Sequence, residues 1–189
     1  RLAQQQVKAV LTGEGADELF AGYTYHHEYV DDPRALADEL TRSLGTMHNI
    51  NLQRVDRVTM SESLEARTPF LDRSLIDFAQ SIPASLKLRR TDPAAPEATG
   101  PTTEKWILRK ATTDLLPAEL VWRKKAQFDE GSGTVDALQQ ALRQRLGTDA
   151  PVSRAQEAAL YTRILRDQFQ DADRILANAG NWTDQRVAV

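Results

Sequence analysis

Residues 10–23 read VLTGEGADELFAGY, a stretch that sets three glycines and the carboxylates Glu14, Asp17 and Glu18 directly after a short apolar run. Gly13 and Gly15 let the backbone bend sharply and let a ligand approach the main chain, while Thr12 brings a hydroxyl able to donate to phosphate. Glu14 and Asp17 would repel bare phosphate. They suit such a turn when a divalent cation lies between, because carboxylate plus phosphate oxygen is the usual surrounding of Mg2+. A carboxylate here could also orient or deprotonate an amine nucleophile. The competing reading is an ordinary strand, turn and helix start whose acids satisfy free helix N–H groups. The spacing matches neither a P-loop, which ends in GK[ST], nor a Rossmann GxGxxG.

A second constellation, WRKKAQFDEGSG, sets Arg123, Lys124 and Lys125 beside a connector containing Gly131 and Gly133. Clustered cations suit the charge that develops on a polyphosphate during transfer, and suit a solvated basic helix end equally well. In SLEARTPFLD, Glu65 and Arg67 lie between Leu64 and Phe70. That placement predicts charges withdrawn from solvent, as an internal ion pair locking a helix junction or in contact with ligand. His26, His27 and His48 have no Cys or further His at metal-ligand spacing and read as surface or structural. No G-x-S-x-G supports a hydrolase triad.

The elements that must position these residues are mostly helical. VKAVLTG, with Val7, Val10 and Leu11 before Gly13, predicts one buried strand, and ADELFAGY a short helix carrying Leu19 and Phe20. Asp32 with Pro33 opens a helix whose apolar residues fall at Leu36, Leu40, Leu44 and Met47. NLQRVDRVTMSESLEAR reads as another. Asp72 caps a helix in RSLIDFAQSI that Pro83 ends, and RRTDPAAPEATGP reads as an exposed loop. Thr102 or Thr103 opens a helix in EKWILRKATTDLL, and a short turn follows before the basic connector. After a helix over about 135–146, Ser153 and Gln156 make a capping box for a final helix with Ala159, Leu160, Ile164, Phe169 and Leu176 on one side. The expectation is six to eight helices against one strand.

The chain has 189 residues, 41% of them hydrophobic, which is enough for one domain with a real core. A balance of 24 Lys plus Arg against 27 Asp plus Glu, net -3, gives no broad electrostatic case for nucleic acid or an anionic membrane. The sequence has no cysteine, which removes disulfides, thiolate metal sites and a cysteine nucleophile within it. No apolar run approaches the roughly 20 residues that span a bilayer. A cytoplasmic setting is the expectation.

Taken in order, LTGEGADELFAGY, LQRVDRVTMSESLEARTPFLD, EKWILRKATTDLLP and WRKKAQFDEGSG resemble the synthetase domain of glutamine-dependent asparagine synthetases, over most of residues 7–161. Enzymes that close beta-lactam or lasso-peptide rings share that domain. The resemblance implies ATP-dependent adenylation of a carboxylate, aspartate in the asparagine enzymes, followed by attack of an amine, there ammonia derived from glutamine. By position, Thr12, Gly13 and Gly15 match the loop that contacts ATP and pyrophosphate. Asp17 matches an acid that binds Mg2+, and Glu14 one beside the reacting centre. Lys125 matches the lysine that stabilises the leaving pyrophosphate. Glu65 and Arg67 match a motif read as structural support near the site.

Two family features are missing: the glutaminase domain with its catalytic cysteine, and a first phosphate loop of the form SGGxDS. The implied fold is mainly α, the helical C-terminal half of an α/β ATP pyrophosphatase-type domain over residues 1–189 with about one residual strand. Such a piece is expected to be inactive alone, or to be a helical remnant used for binding or homo-oligomer assembly. Its strand, taken from inside a parallel sheet, is expected to pair with another copy or to be covered.

Overall fold

A computed structural model describes residues 2–92, 100–125 and 133–177. They fall into two compact units, Arg1–Lys124 and Lys125–Val189. The architecture is mainly α, with two small two-stranded sheets.

In the first unit, β1 (Ala9–Leu11) runs into the glycine turn and α1 (Ala16–Phe20). A 3-10 segment, Thr24–Tyr29, leads to α2 (Pro33–Thr46) and α3 (Asn51–Met60). Asp32 caps α2 by accepting from the Ala35 amide at 3.0 Å, with Pro33 at the first helical position, where its missing N–H costs nothing. Next, β2 (Glu65–Arg67) pairs parallel with β1 in the register Ala9↔Glu65, Val10↔Ala66, Leu11↔Arg67. Then follow α4 (Arg73–Ser81), capped by Asp72 through the Ser74 and Leu75 amides, and α5 (Ala84–Lys87). An antiparallel pair, β3 (Arg89–Arg90) and β4 (Thr102–Thr103), precedes α6 (Trp106–Ala111) and α7 (Ala118–Val121).

Two apolar clusters hold α1 in place. Leu19, Phe20 and Ala79 pack with Leu44, Phe70, Ile76, Ile82, Ile107 and Leu108, and Ala21 joins Leu36, Leu40, Ala84 and Leu88. With Leu19 and Phe20 sunk in the core, Asp17 stays at the partly exposed rim. A cavity of about 60 Å³ beneath α1 is lined by Glu18, Lys87, Thr41 and Gln80 among apolar neighbours.

The second unit contains α8 (Thr134–Leu146), α9 (Arg154–Gln168) and α10 (Ala172–Ala177), with Leu142, Val152 and Leu160 at its core. Ser153 and Gln156 form the expected capping box.

Several expectations change. The described residues form ten helices and four strands of two or three residues, because the chain breaks where the sequence reads continuous periodicity. Thr102 and Thr103 pair with β3 instead of opening a helix, and Lys105, in a left-handed conformation at φ 53°, starts α6. The single last helix expected to carry Phe169 and Leu176 is broken: α9 ends at Gln168, leaving Phe169 extended and 51% exposed, and Leu176 falls in α10. β1 finds its partner within the chain, in a segment that reads as helical. Glu65 and Arg67 do pair, at 2.9 Å, but with side chains about 60% exposed (58% and 62%), since they flank inward-facing Ala66 on a strand edge. The loop at 93–99 and the connector at 126–132 lie outside the described residues.

His26, read from sequence as surface or structural, is fully buried against the rings of Tyr23 and Tyr25. Burial pushes its pKa from 6.5 down to about 4. The folded state thus prefers the neutral ring, so this contribution to stability is complete above pH 6.5 and is lost as pH falls toward 4. Urea midpoints should decline across that window, by up to about 3 kcal/mol from this group, and His26→Gln should flatten that part of the profile.

Candidate active site

The turn is anchored at both ends. Thr12 donates its amide to the Arg67 carbonyl at 2.9 Å, and Glu65 donates to the Lys8 carbonyl at 2.9 Å, so β2 fixes where β1 stops. Gly15 adopts φ 95°, and a Cβ there would lie 2.5 Å from Leu71 Cδ2. Its lack of a side chain therefore serves packing against Pro69–Leu71. Gly13 has open space around it. The amides of Gly13, Glu14 and Gly15 have no backbone acceptor among the described residues. Thr12 Oγ1 is a buried hydroxyl without a partner among them.

Each of the three acids meets a different environment. Glu18, only 2% exposed, accepts from Asn51 Nδ2 at 2.6 Å and from the Tyr23 hydroxyl, and Asn51 also donates to Tyr23 Oη at 2.8 Å. Burial and the Glu18 carboxylate together hold the Tyr23 phenol well above its ordinary pKa, so it stays a donor. Asp17 pairs with Lys105 Nζ at 2.9 Å over Gly22, where any Cβ would collide with both side chains. Glu14 has the loosest arrangement, with Arg54 at 3.7 Å and that arginine 63% exposed. Burial raises the Glu14 pKa, Arg54 opposes this, and the charges of Glu18 and Asp17 add to the rise. A half-buried acid that holds its proton more tightly than usual is suited to accept one from an incoming amine.

The structure thus brings together Thr12, Gly13, Glu14, Gly15 and Asp17 on one turn. Lys125 opens the second unit. Sequence reasoning did not single out Lys105, Asn51, Tyr23 or Arg54. Lys105 sits at an irregular left-handed position that helical periodicity does not flag, and Asn51 and Arg54 reach the turn only through the tertiary placement of α3.

The buried, unpartnered Thr12 hydroxyl and the three amides that lack a backbone acceptor among the described residues have the donor chemistry that phosphate oxygens need. A cation fits less completely. No group of three His, Cys, Asp or Glu side chains suited to a metal occurs among the described residues. Asp17 offers a single carboxylate with Lys105 already on one oxygen, so Mg2+ fits only as an ion completed by phosphate oxygens and water.

No helix among the described residues is long and apolar enough to cross a membrane. The asparagine synthase family model matches residues 1–36 and 30–189. The chain is 38% identical over 131 residues to asparagine synthetase [glutamine-hydrolyzing] 2 of Lotus japonicus, covering 67% of this chain and 21% of that protein. It is 37% identical over 131 residues to asparagine synthetase [glutamine-hydrolyzing] 3 of Arabidopsis thaliana, with the same coverage of 67% and 21%. Asparagine synthetase B [glutamine-hydrolyzing] of Escherichia coli (strain K12) is 34% identical over 177 residues, 86% of this chain and 30% of its own length. The chain therefore spans between about a fifth and a third of these relatives (21% and 30%). With ordered motifs and a family match running through both units, this chain belongs to the asparagine synthase family.

Proposed function

We propose that the chain supplies part of the active site of an ATP-dependent amide-forming ligase, with aspartate as the carboxylate and ammonia as the amine. The observation that carries this reading is the sorting of acids on the turn, which leaves Glu14 half-buried, weakly paired and proton-retaining beside the unsatisfied Thr12 hydroxyl. In the reaction, a carboxylate oxygen bonds to the α-phosphorus of ATP and pyrophosphate departs with the bridging electron pair. The amine then bonds to the acyl carbon, a proton leaves its nitrogen, and AMP departs.

The roles follow from the residues. Thr12 and the amides of Gly13 and Gly15 would donate to phosphate oxygens, and Glu14 would take the proton released by the attacking amine. Asp17 would hold Mg2+, which when bound neutralises phosphate charge. Lys125, by the resemblance of its segment, would stabilise charge on the leaving pyrophosphate. The relatives' names, glutamine-hydrolyzing asparagine synthetases, support asparagine as the product and glutamine as the source of the amine. A cytoplasmic location and homo-oligomer assembly belong to the same proposal.

The test is pyrophosphate release by the full-length natural protein with ATP, Mg2+, aspartate and an ammonium salt. We expect aspartate-dependent release with asparagine as product, and Lys125→Met should reduce the rate about 10²–10³-fold. Release that ignores aspartate would reject this substrate. Glu14→Gln should slow amide formation about 10²–10⁴-fold. The same variant should unfold at higher urea than wild type near pH 7, because a carboxylate whose folded pKa is raised destabilises the fold when ionised. That gain should disappear below about pH 4.5, where the glutamate is protonated in both states.

A further inference from the structure

Arg109, on α6, is spread over four acceptors. Its Nε donates to the Glu104 carbonyl at 2.9 Å, and one terminal nitrogen donates to the Glu104 carboxylate. The other terminal nitrogen donates to the carbonyls of Val121 at 2.6 Å and Arg123 at 3.0 Å. The Arg109 side chain is 14% exposed and that of Glu104 7%, with His27 Nε2 standing 3.8 Å from the same carboxylate.

An arginine–glutamate pair largely withdrawn from water is a poor device for stability alone, because desolvating the charges offsets much of their attraction. Its particular capacity is geometric, since a planar fork can hold several oxygens in fixed directions where an ammonium cannot. Here it closes the end of α7, a four-residue helix whose last carbonyls lack partners of their own. It grips the chain by main-chain oxygen, leaving the side chains of Arg123 and Lys124 exposed. Two residues beyond Arg123, covalent geometry limits the Cα of Lys125 to about 7 Å from that gripped position.

We propose that Arg109 is a positioning residue for the basic segment: by clamping the Val121 and Arg123 carbonyls from a counter-ion on Glu104, it sets the origin from which Lys125 reaches pyrophosphate. The inference rests on the proposed role of Lys125. It also links the segment to the acidic turn, because the residue after Glu104 is Lys105, whose ammonium holds Asp17 and whose amide donates to the Phe20 carbonyl at 3.1 Å.

The test uses the full-length protein as wild type, Arg109→Lys, Arg109→Met and Lys125→Met. Two quantities are read: tryptic cleavage after Arg123 and Lys124, followed by mass spectrometry, and kcat and KM for ATP in pyrophosphate release. Arg109→Met leaves Glu104 without its cation, so Arg109→Lys, which keeps the charge and loses the fork, is the decisive variant. We expect Arg109→Lys to speed cleavage at those two sites about tenfold while other sites stay protected. It should lower kcat about 10–100-fold with KM for ATP changed less than about threefold, the pattern of a displaced catalytic group. Unchanged cleavage and kcat in Arg109→Lys, beside a large loss in Lys125→Met, would overturn the inference and leave the proposed function standing. Cleavage rising equally at every site would mark Arg109 as merely structural and overturn it too. A Lys125→Met protein with normal kcat would overturn both.

Discussion

Three carboxylates within five residues, Glu14, Asp17 and Glu18, repel one another, and the local structure is arranged around that constraint. Like charges three or four residues apart at a helix start cost about 0.2–0.5 kcal/mol per pair, more where burial removes water from between them. Helix α1 is too short to help much by itself. The solution is to give each acid a different environment: Glu18 a buried amide and phenol, Asp17 an ammonium, Glu14 partial burial with a distant guanidinium. Two acids become parts of the scaffold, and the third, Glu14, has a raised pKa, chiefly from burial and in smaller part from the charges of Glu18 and Asp17.

This sorting depends on elements far away in sequence. Asn51 arrives at the start of α3, which packs against β2, and Lys105 arrives as the left-handed residue between β4 and α6. That strained conformation costs about 1–3 kcal/mol and persists because neighbours on both sides demand it. Glu104 must face Arg109 while Lys105 faces Asp17. One dipeptide therefore joins the acidic turn to the chain that leads into the basic segment.

Much of this was legible in the sequence. The caps at Asp32, Asp72 and Ser153 were readable because a cap is a local contract between a side chain and amides two or three residues on. The acidic turn was readable for the same reason: glycines, hydroxyl and acids lie within six residues. The partner of β1 was not, since Glu65–Arg67 is three residues long and carries one inward side chain, too little alternation to mark a strand. The exposure of those two charges is hidden for the same reason, because an apolar residue beside them in the strand points to the opposite face. The partners of the acids were invisible because pairs 33 residues apart (Glu18 with Asn51), or nearly ninety apart (Asp17 with Lys105), leave no local spacing to read.

The central claim is that the fold ties Asp17 to Lys105 and Glu18 to Asn51 and Tyr23, leaving Glu14 as the loosely held, proton-accepting acid of the turn. The direct measurement is a carbon-13 NMR titration of the Glu14 side-chain carboxyl in the folded protein, assigned with Glu14→Gln. The account predicts a midpoint above the ordinary glutamate value of 4.5. A midpoint at or below 4.5, with Arg54 dominating the environment, would contradict it.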